Sequence, residues 1–178
     1  TTAYGGSAYN NTFIGTEFHM GSGFSGVPES TIINSTAYDN GLITVGANSK
    51  AFNNTGRITV SGANSIVSEN NITTLTVSGS NNIIENNTID SISVTGTNAI
   101  INNNTINSGT MNANNVLSFT NNNITTININ RALNITNNNI NNIVLNSHYN
   151  NLTYNNITNT LILRMSNTQV QYNNITTN

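Results

Sequence analysis

The chain has 178 residues and a net charge of −2, with only 6% of its residues charged, against about 25% in an ordinary globular domain. That balance excludes a nucleic-acid binder, which needs a basic footprint, and the absence of cysteine excludes a disulfide framework or a thiolate metal site. No apolar run approaches the roughly 18 residues of a membrane-spanning helix.

Asn and Thr dominate, at 43 and 27 residues, while Leu, Ile, Val and Phe together number 45. That apolar content is above the level of disordered chains, which also need a high net charge. The length suits one domain. The chain opens Thr1-Thr2-Ala3-Tyr4 without a Met, which reads as a processed, exported chain or as a trimmed one. With so few titratable groups, stability is expected to vary little with pH.

Residues 1–41 form the first unit. They hold most of the glycine, the single proline (Pro28), and the aromatic residues Tyr4, Tyr9, Phe13 and Phe18. Gly21 to Pro28 reads as loop, and Phe13-Ile14 and Thr31-Ile32-Ile33 as strands. The expectation is an irregular N-terminal cap, or an arm that packs on a neighbouring subunit, because a stack of strands needs its open edge covered.

Residues 42–178 are a repeat. Asn pairs recur at Asn53-Asn54, Asn70-Asn71, Asn86-Asn87, Asn103-Asn104, Asn122-Asn123, Asn138-Asn139, Asn155-Asn156 and Asn173-Asn174, about 17 residues apart. An Ile follows each pair: Ile58, Ile72, Ile89, Ile106, Ile124, Ile140, Ile157 and Ile175. A second apolar station alternates with polar residues, as in Ile43-Thr44-Val45, Leu75-Thr76-Val77 and Ile92-Ser93-Val94, and is degraded at Gly109-Thr110-Met111. A third runs through Ile66, Ile83, Ile100, Val116, Leu133 or Ile135, Leu152 and Val170.

These constraints converge on an all-β parallel β-solenoid of about eight coils. The apolar runs are too short for helices, they alternate with period two, and they are rich in β-branched residues that favour strands. One unit cannot bury its own face, whereas stacked units can. Equivalent residues then lie about 4.8 Å apart along the axis. At that spacing a column of like charges would repel by roughly 1 kcal/mol per pair even in water. Neutral Asn side chains can instead hydrogen-bond amide to amide.

The Asn-Asn-x-Ile rhythm resembles the right-handed parallel β-helix superfamily of pectate-lyase-like and carbohydrate-binding solenoids, and in particular its Asn-rich periplasmic copper-binding repeat branch. The resemblance covers residues 42–178 and implies a right-handed solenoid. The coil is shorter than is usual there and approaches that of left-handed hexapeptide helices, so the right hand is favoured on the corner Asn pairs. No motif matches that family's catalytic or copper-binding residues, and none is carried over. In composition the chain also resembles archaeal glycosylated surface-fibre proteins.

Candidate chemistry is sparse. Asn-x-Ser/Thr sequons, candidate N-glycosylation sites, occur at Asn10, Asn34, Asn53, Asn71, Asn86, Asn103, Asn123, Asn134, Asn151, Asn156 and Asn174. Composition alone predicts that many, so their position at the corners is the suggestive feature. A glycan-bearing Asn cannot also be an inward ladder Asn. Glu69 and Glu85 precede Asn pairs in adjacent coils and would stack as a carboxylate pair, which reads first as two solvated acids and only then as a cation or catalytic site. Tyr154 and Tyr172 share a register, which reads as surface stacking ahead of an aromatic stripe for sugars or a neighbour. His19 and His148 lie in different regions, and Arg57, Arg131 and Arg164 are dispersed. No catalytic, cofactor-binding or metal residues are assigned.

The leading expectation is therefore not an enzyme but a structural subunit of an extracellular filament or cell-surface fibre. It would assemble with itself head to tail through the solenoid ends, with covalent glycans as possible additions, and with neither nucleic acid nor a membrane span. The alternative is a carbohydrate-binding or adhesin module of a larger secreted protein.

Overall fold

The structure, a computed structural model, describes residues 2–4, 7–9, 12–14, 17–21, 31–33, 36–38, 42–112, 116–130, 134–164 and 166–176. Among the described residues the protein is all-β, with no helix, and its strands form one sheet of thirteen and one of ten. Every pairing is parallel, and the chain alternates between the sheets as it climbs. This is a parallel β-solenoid of about seven turns spaced about 17 residues apart.

The longer strands run Asn71–Val77, Thr88–Val94, Thr105–Met111, Asn123–Ile129 and Asn139–Leu145. In the first of these Ile72, Leu75 and Val77 are buried, while Thr73 and Thr74 are both exposed. Two adjacent outward residues break the period-two alternation of a straight strand, so the strand bends between Ile72 and Leu75. Each inward position stacks on its equivalent. One column runs Ile43, Ile58, Leu75, Ile92, Gly109, Ile127, Ile143, and a second runs Val45, Val60, Val77, Val94, Met111, Ile129, Leu145. All but Gly109 are essentially sealed from solvent, and each full burial of an aliphatic side chain contributes about 1.5–3 kcal/mol.

The degraded copy at Gly109 is an adaptation of its neighbours. A β carbon there would lie 2.7 Å from Ile92 Cγ2 and 3.4 Å from Ile127 Cδ1. The isoleucines on either side fill the space that a side chain would take.

Two expected stations are displaced. The short strands Ile66–Ser68, Ile83–Glu85 and Ala99–Asn102 bury Val67, Ile84 and Ile101, not Ile66, Ile83 and Ile100, which are half-exposed. The same column continues through Phe119, Ile135 and Leu152 to Val170. Val116 is replaced in it by Phe119, because the register steps from Ala99↔Val116 to Ile100↔Ser118 and passes over Leu117. Ile58 is likewise not the residue that follows the Asn pair into the core. It pairs with Leu75, and Gly56 stands opposite Ile72.

The described strands of residues 1–41 pair within the same two sheets. Phe18 stands opposite Ile43, Met20 opposite Val45, and Ile32 between Ala8 and Ala51. Strands are present at Thr12–Ile14 and Thr31–Ile33, as expected. Gly21 closes the strand Glu17–Gly21, and residues 22–28 of the expected loop lie outside the described residues.

Candidate functional site

The most ordered chemistry in the molecule is an internal column of asparagines. Asn54, Asn70, Asn87, Asn104, Asn122, Asn138 and Asn155 are buried and Asn173 is half-buried. Each of the first seven donates twice to the Oδ1 of the next. Asn70 does so through its backbone N–H (2.9 Å) and through Nδ2 (2.9 Å), both to Asn87 Oδ1. Nδ2 of Asn70 also donates to the carbonyl oxygens of Ser68 (2.8 Å) and Ala51 (3.1 Å). The pattern repeats up to Asn155, which donates to Asn173 Oδ1 at 2.8 and 3.0 Å. A corner turns the backbone out of the ladder, and the amide takes over the bonds the ladder would have made. A buried polar group left unpaired costs about 1–3 kcal/mol.

One member of each Asn pair enters this column, and which member varies. It is the second in Asn53-Asn54, Asn86-Asn87 and Asn103-Asn104, and the first in the other five pairs. The reason lies one residue earlier. The residue before each ladder Asn has positive φ: Asn53, Glu69, Asn86, Asn103, Asn121, Asn137, Tyr154 and Tyr172, between 53° and 58°. The corner unit is thus a left-handed residue followed by an inward Asn. Asn and Gly tolerate that backbone, whereas other L-residues meet a penalty of roughly 1–2 kcal/mol.

A second left-handed corner lies at Asn48, Asn64, Asn81, Asn98, Tyr149 and Asn167. The residue after it is again turned inward, as Ser49, Ser65 and Asn82. Ser49 N–H donates to Ser65 Oγ (3.2 Å), and Ser65 N–H donates to Asn82 Oδ1 (2.8 Å). This shorter polar column was not legible as a repeat, because it mixes Ser and Asn and gives way to Ala99. At the same corner six turns on, the buried Oδ1 atoms of Asn150 and Asn151 have no hydrogen-bond partner among the described residues.

The sequon asparagines and the ladder asparagines are separate sets. Asn53, Asn71, Asn86, Asn103, Asn123, Asn134 and Asn174 are exposed, and Asn151 and Asn156 are half-buried. Asn10 and Asn34 lie outside the described residues. The separation is forced: two residues after most ladder asparagines stands a buried Ile, such as Ile72, Ile89 or Ile124, so a hydroxyl cannot occupy that place. Among the remaining corner residues, Asn103 Nδ2 donates to Asn86 Oδ1 (2.6 Å), and Asn139, Asn156 and Asn174 form an outer ladder on Asn123 at 2.9–3.0 Å per step.

Glu69 and Glu85 do not share a register. Glu85 stands opposite Ser68, and Glu69 is the left-handed corner residue one place further on. The offset follows from the ladder member being the first of one Asn pair and the second of the other. Among the described residues no three His, Cys, Asp or Glu side chains gather into a metal-binding group. His148 is exposed, with Nδ1 3.1 Å from the Ser166 carbonyl oxygen and 3.2 Å from Ser166 Oγ. Arg57 and Arg164 are exposed. The side chain of His19, and Arg131, lie outside what is described.

Tyr154 and Tyr172 do come together. Their rings stack with centroids 5.1 Å apart and planes 10° from parallel, and both are largely exposed, at 59% and 73%. Tyr149, at 71%, is also exposed. All three stand at left-handed corners, where Asn serves in nearly every other described coil.

The protein was compared with family models, curated proteins and solved structures, and none matches it.

Proposed function

We propose that the protein is a structural subunit of an extracellular filament or cell-surface fibre, assembled by head-to-tail stacking of solenoid ends. The observation that carries this reading is the direction of the ladder. From Asn54 to Asn155, every ladder Asn donates toward the higher-numbered coil. Each rung repeats the donors and the acceptor of the one before, so a coil with the same corner, from whichever chain, extends the column.

Among the described residues every strand pairing is parallel, so the two faces of any coil are unlike. A contact between unlike ends does not close on itself, so it propagates as a filament. A neutral, amide-built stack suits this, because it adds coils without accumulating charge. Export, glycans on the exposed sequons and kinship with right-handed parallel β-helices belong to the same proposal. The outward sequon positions support the glycans, and the Asn-Asn-x-Ile repeat supports the kinship.

Electron microscopy of purified protein, with intact mass, tests it. Unbranched fibres with a repeat along the solenoid axis are expected. Strictly monomeric particles would overturn assembly, and an unmodified mass of 19.0 kDa from the native source would overturn the glycans.

A further inference from the structure

We propose that Asn81 is a site of spontaneous deamidation, and that the inward columns shield the corner residues Asn53, Asn64, Asn86, Asn103, Asn121 and Asn137 from the same reaction. With 43 Asn in the chain, amide loss is a standing chemical hazard, since Asn is a thermolabile residue. The reaction needs no enzyme. The backbone nitrogen of the following residue gives its proton to a solvent base and attacks Cγ. A C–N bond forms, the Cγ–Nδ2 bond breaks, and the amide nitrogen leaves as ammonia. Water then opens the cyclic imide at either carbonyl, which leaves Asp or isoaspartate.

At the shielded corners the nucleophile is already held. The N–H after the corner donates inward: Asn54 to Asn70 Oδ1 (2.7 Å), Asn87 to Asn104 Oδ1 (3.0 Å), Asn104 to Asn122 Oδ1 (2.9 Å), Asn122 to Asn138 Oδ1 (2.8 Å) and Asn138 to Asn155 Oδ1 (2.9 Å). At the second corner Ser65 N–H donates to Asn82 Oδ1 (2.8 Å). A bonded N–H keeps its proton and cannot turn toward Cγ, so each rung also blocks the reaction at the corner before it. The second column breaks one coil later. Ile83 pairs with Ile100, which sets Asn82 opposite the buried Ala99, whose methyl group accepts nothing. Among the described residues Asn82 N–H has no acceptor.

Asn86 is the matched comparison. Asn81 and Asn86 are both exposed, both hold φ 57°, and both are followed by Asn, so the sequence alone gives them similar reactivity. Each side-chain carbonyl is polarised from the next coil: Asn98 Nδ2 donates to Asn81 Oδ1 (3.0 Å), and Asn103 Nδ2 donates to Asn86 Oδ1 (2.6 Å). Such a donor stabilises the negative charge that develops on that oxygen during attack. The two corners differ in the nucleophile, which is held at Asn87 and unheld at Asn82. Deamidation at Asn81 would set a carboxylate in a column that is otherwise neutral amide.

The experiment is mass-spectrometric peptide mapping of the full chain after incubation at mildly alkaline pH, folded and in urea. Cleavage after Glu69 and Glu85 puts the two corners on separate peptides, and fragment spectra assign the converted residue. In urea both should convert at similar rates. Relative to those rates, folding should slow Asn86 about tenfold or more beyond any slowing at Asn81. Ala99→Ser supplies an Oγ like that of Ser65, which accepts the Ser49 N–H, and should bring the Asn81 rate down toward that of Asn86. Should that variant fail to fold, the matched pair decides alone. Equal slowing of the two corners, or greater slowing at Asn81, would overturn the inference. So would an Asn81 rate unchanged in an Ala99→Ser chain that keeps its melting temperature, which would trace the difference to local mobility and not to the unheld N–H. None of these outcomes bears on filament formation, so the proposed assembly stands or falls separately.

Discussion

Asn104 Oδ1 accepts two hydrogen bonds from Asn87, one from its backbone N–H and one from Nδ2, both at 3.0 Å. The backbone bond fixes which way the amide faces, because an N–H needs an oxygen opposite it. The direction of the whole ladder therefore follows from the backbone of each corner. A substitution at one step leaves unpaired groups on both sides of it.

Asn87→Ala removes the acceptor for Asn70 and the donor for Val67 O, Glu85 O and Asn104 Oδ1. At about 1–3 kcal/mol for each buried group left unpaired, the loss should reach about 3 kcal/mol or more. Asn87→Asp should be worse, since it sets a carboxylate against carbonyl oxygens in a buried site. Asn86→Gly, one residue away at φ 57°, should be close to neutral, because glycine adopts that backbone freely. Urea denaturation of the three variants checks the order.

Two glycines should resist substitution for different reasons. A β carbon on Gly79 would lie 1.8 Å from the Gly62 carbonyl oxygen, so Gly79→Ala must move backbone and should cost about 1–3 kcal/mol or more. Gly109→Ile restores the residue type of its column and would be expected, on burial alone, to stabilise. It should instead cost about 1–3 kcal/mol, because Ile92 and Ile127 already occupy the space. A rise in melting temperature for Gly109→Ile would show that the column can open.

Glu69 holds a corner with φ 57° and is exposed. Glu69→Asn should stabilise by up to about 1 kcal/mol, and Glu69→Val should destabilise by a similar amount, since a β-branched residue fits that backbone worst. Thermal melts of the pair check the sign.

The ladder amides carry no ionisable proton, so acid leaves them intact. The melting temperature should change by only a few degrees between pH 4 and pH 8. A steep fall near pH 4 would overturn this expectation.

The repeat, its length and the strand chemistry were legible because stacking forces equivalent residues into equivalent places, and Ile-x-Val alternation survives as a pattern in one dimension. The expected amide-to-amide column is present for the same reason. The column at Ser49, Ser65 and Asn82 was not legible, because the position needs any small polar group and not one residue type. The tyrosine ridge was legible as a shared register, but not as strain, since a positive φ leaves no mark on a Tyr codeword in the chain.

The sequence by itself determined that this chain is a stack of short parallel strands with neutral corners, since short β-branched runs recurring about every 17 residues bury their faces by stacking unit on unit. Only the tertiary structure decided which residue of each corner turns inward. A left-handed residue interrupts the period-two alternation, so counting from one strand to the next can slip by one, and a slip of one exchanges the faces. That is why Val67, Ile84 and Ile101 are in the core while Ile66, Ile83 and Ile100 are not, and why Asn70 is a ladder residue while Asn71 faces solvent.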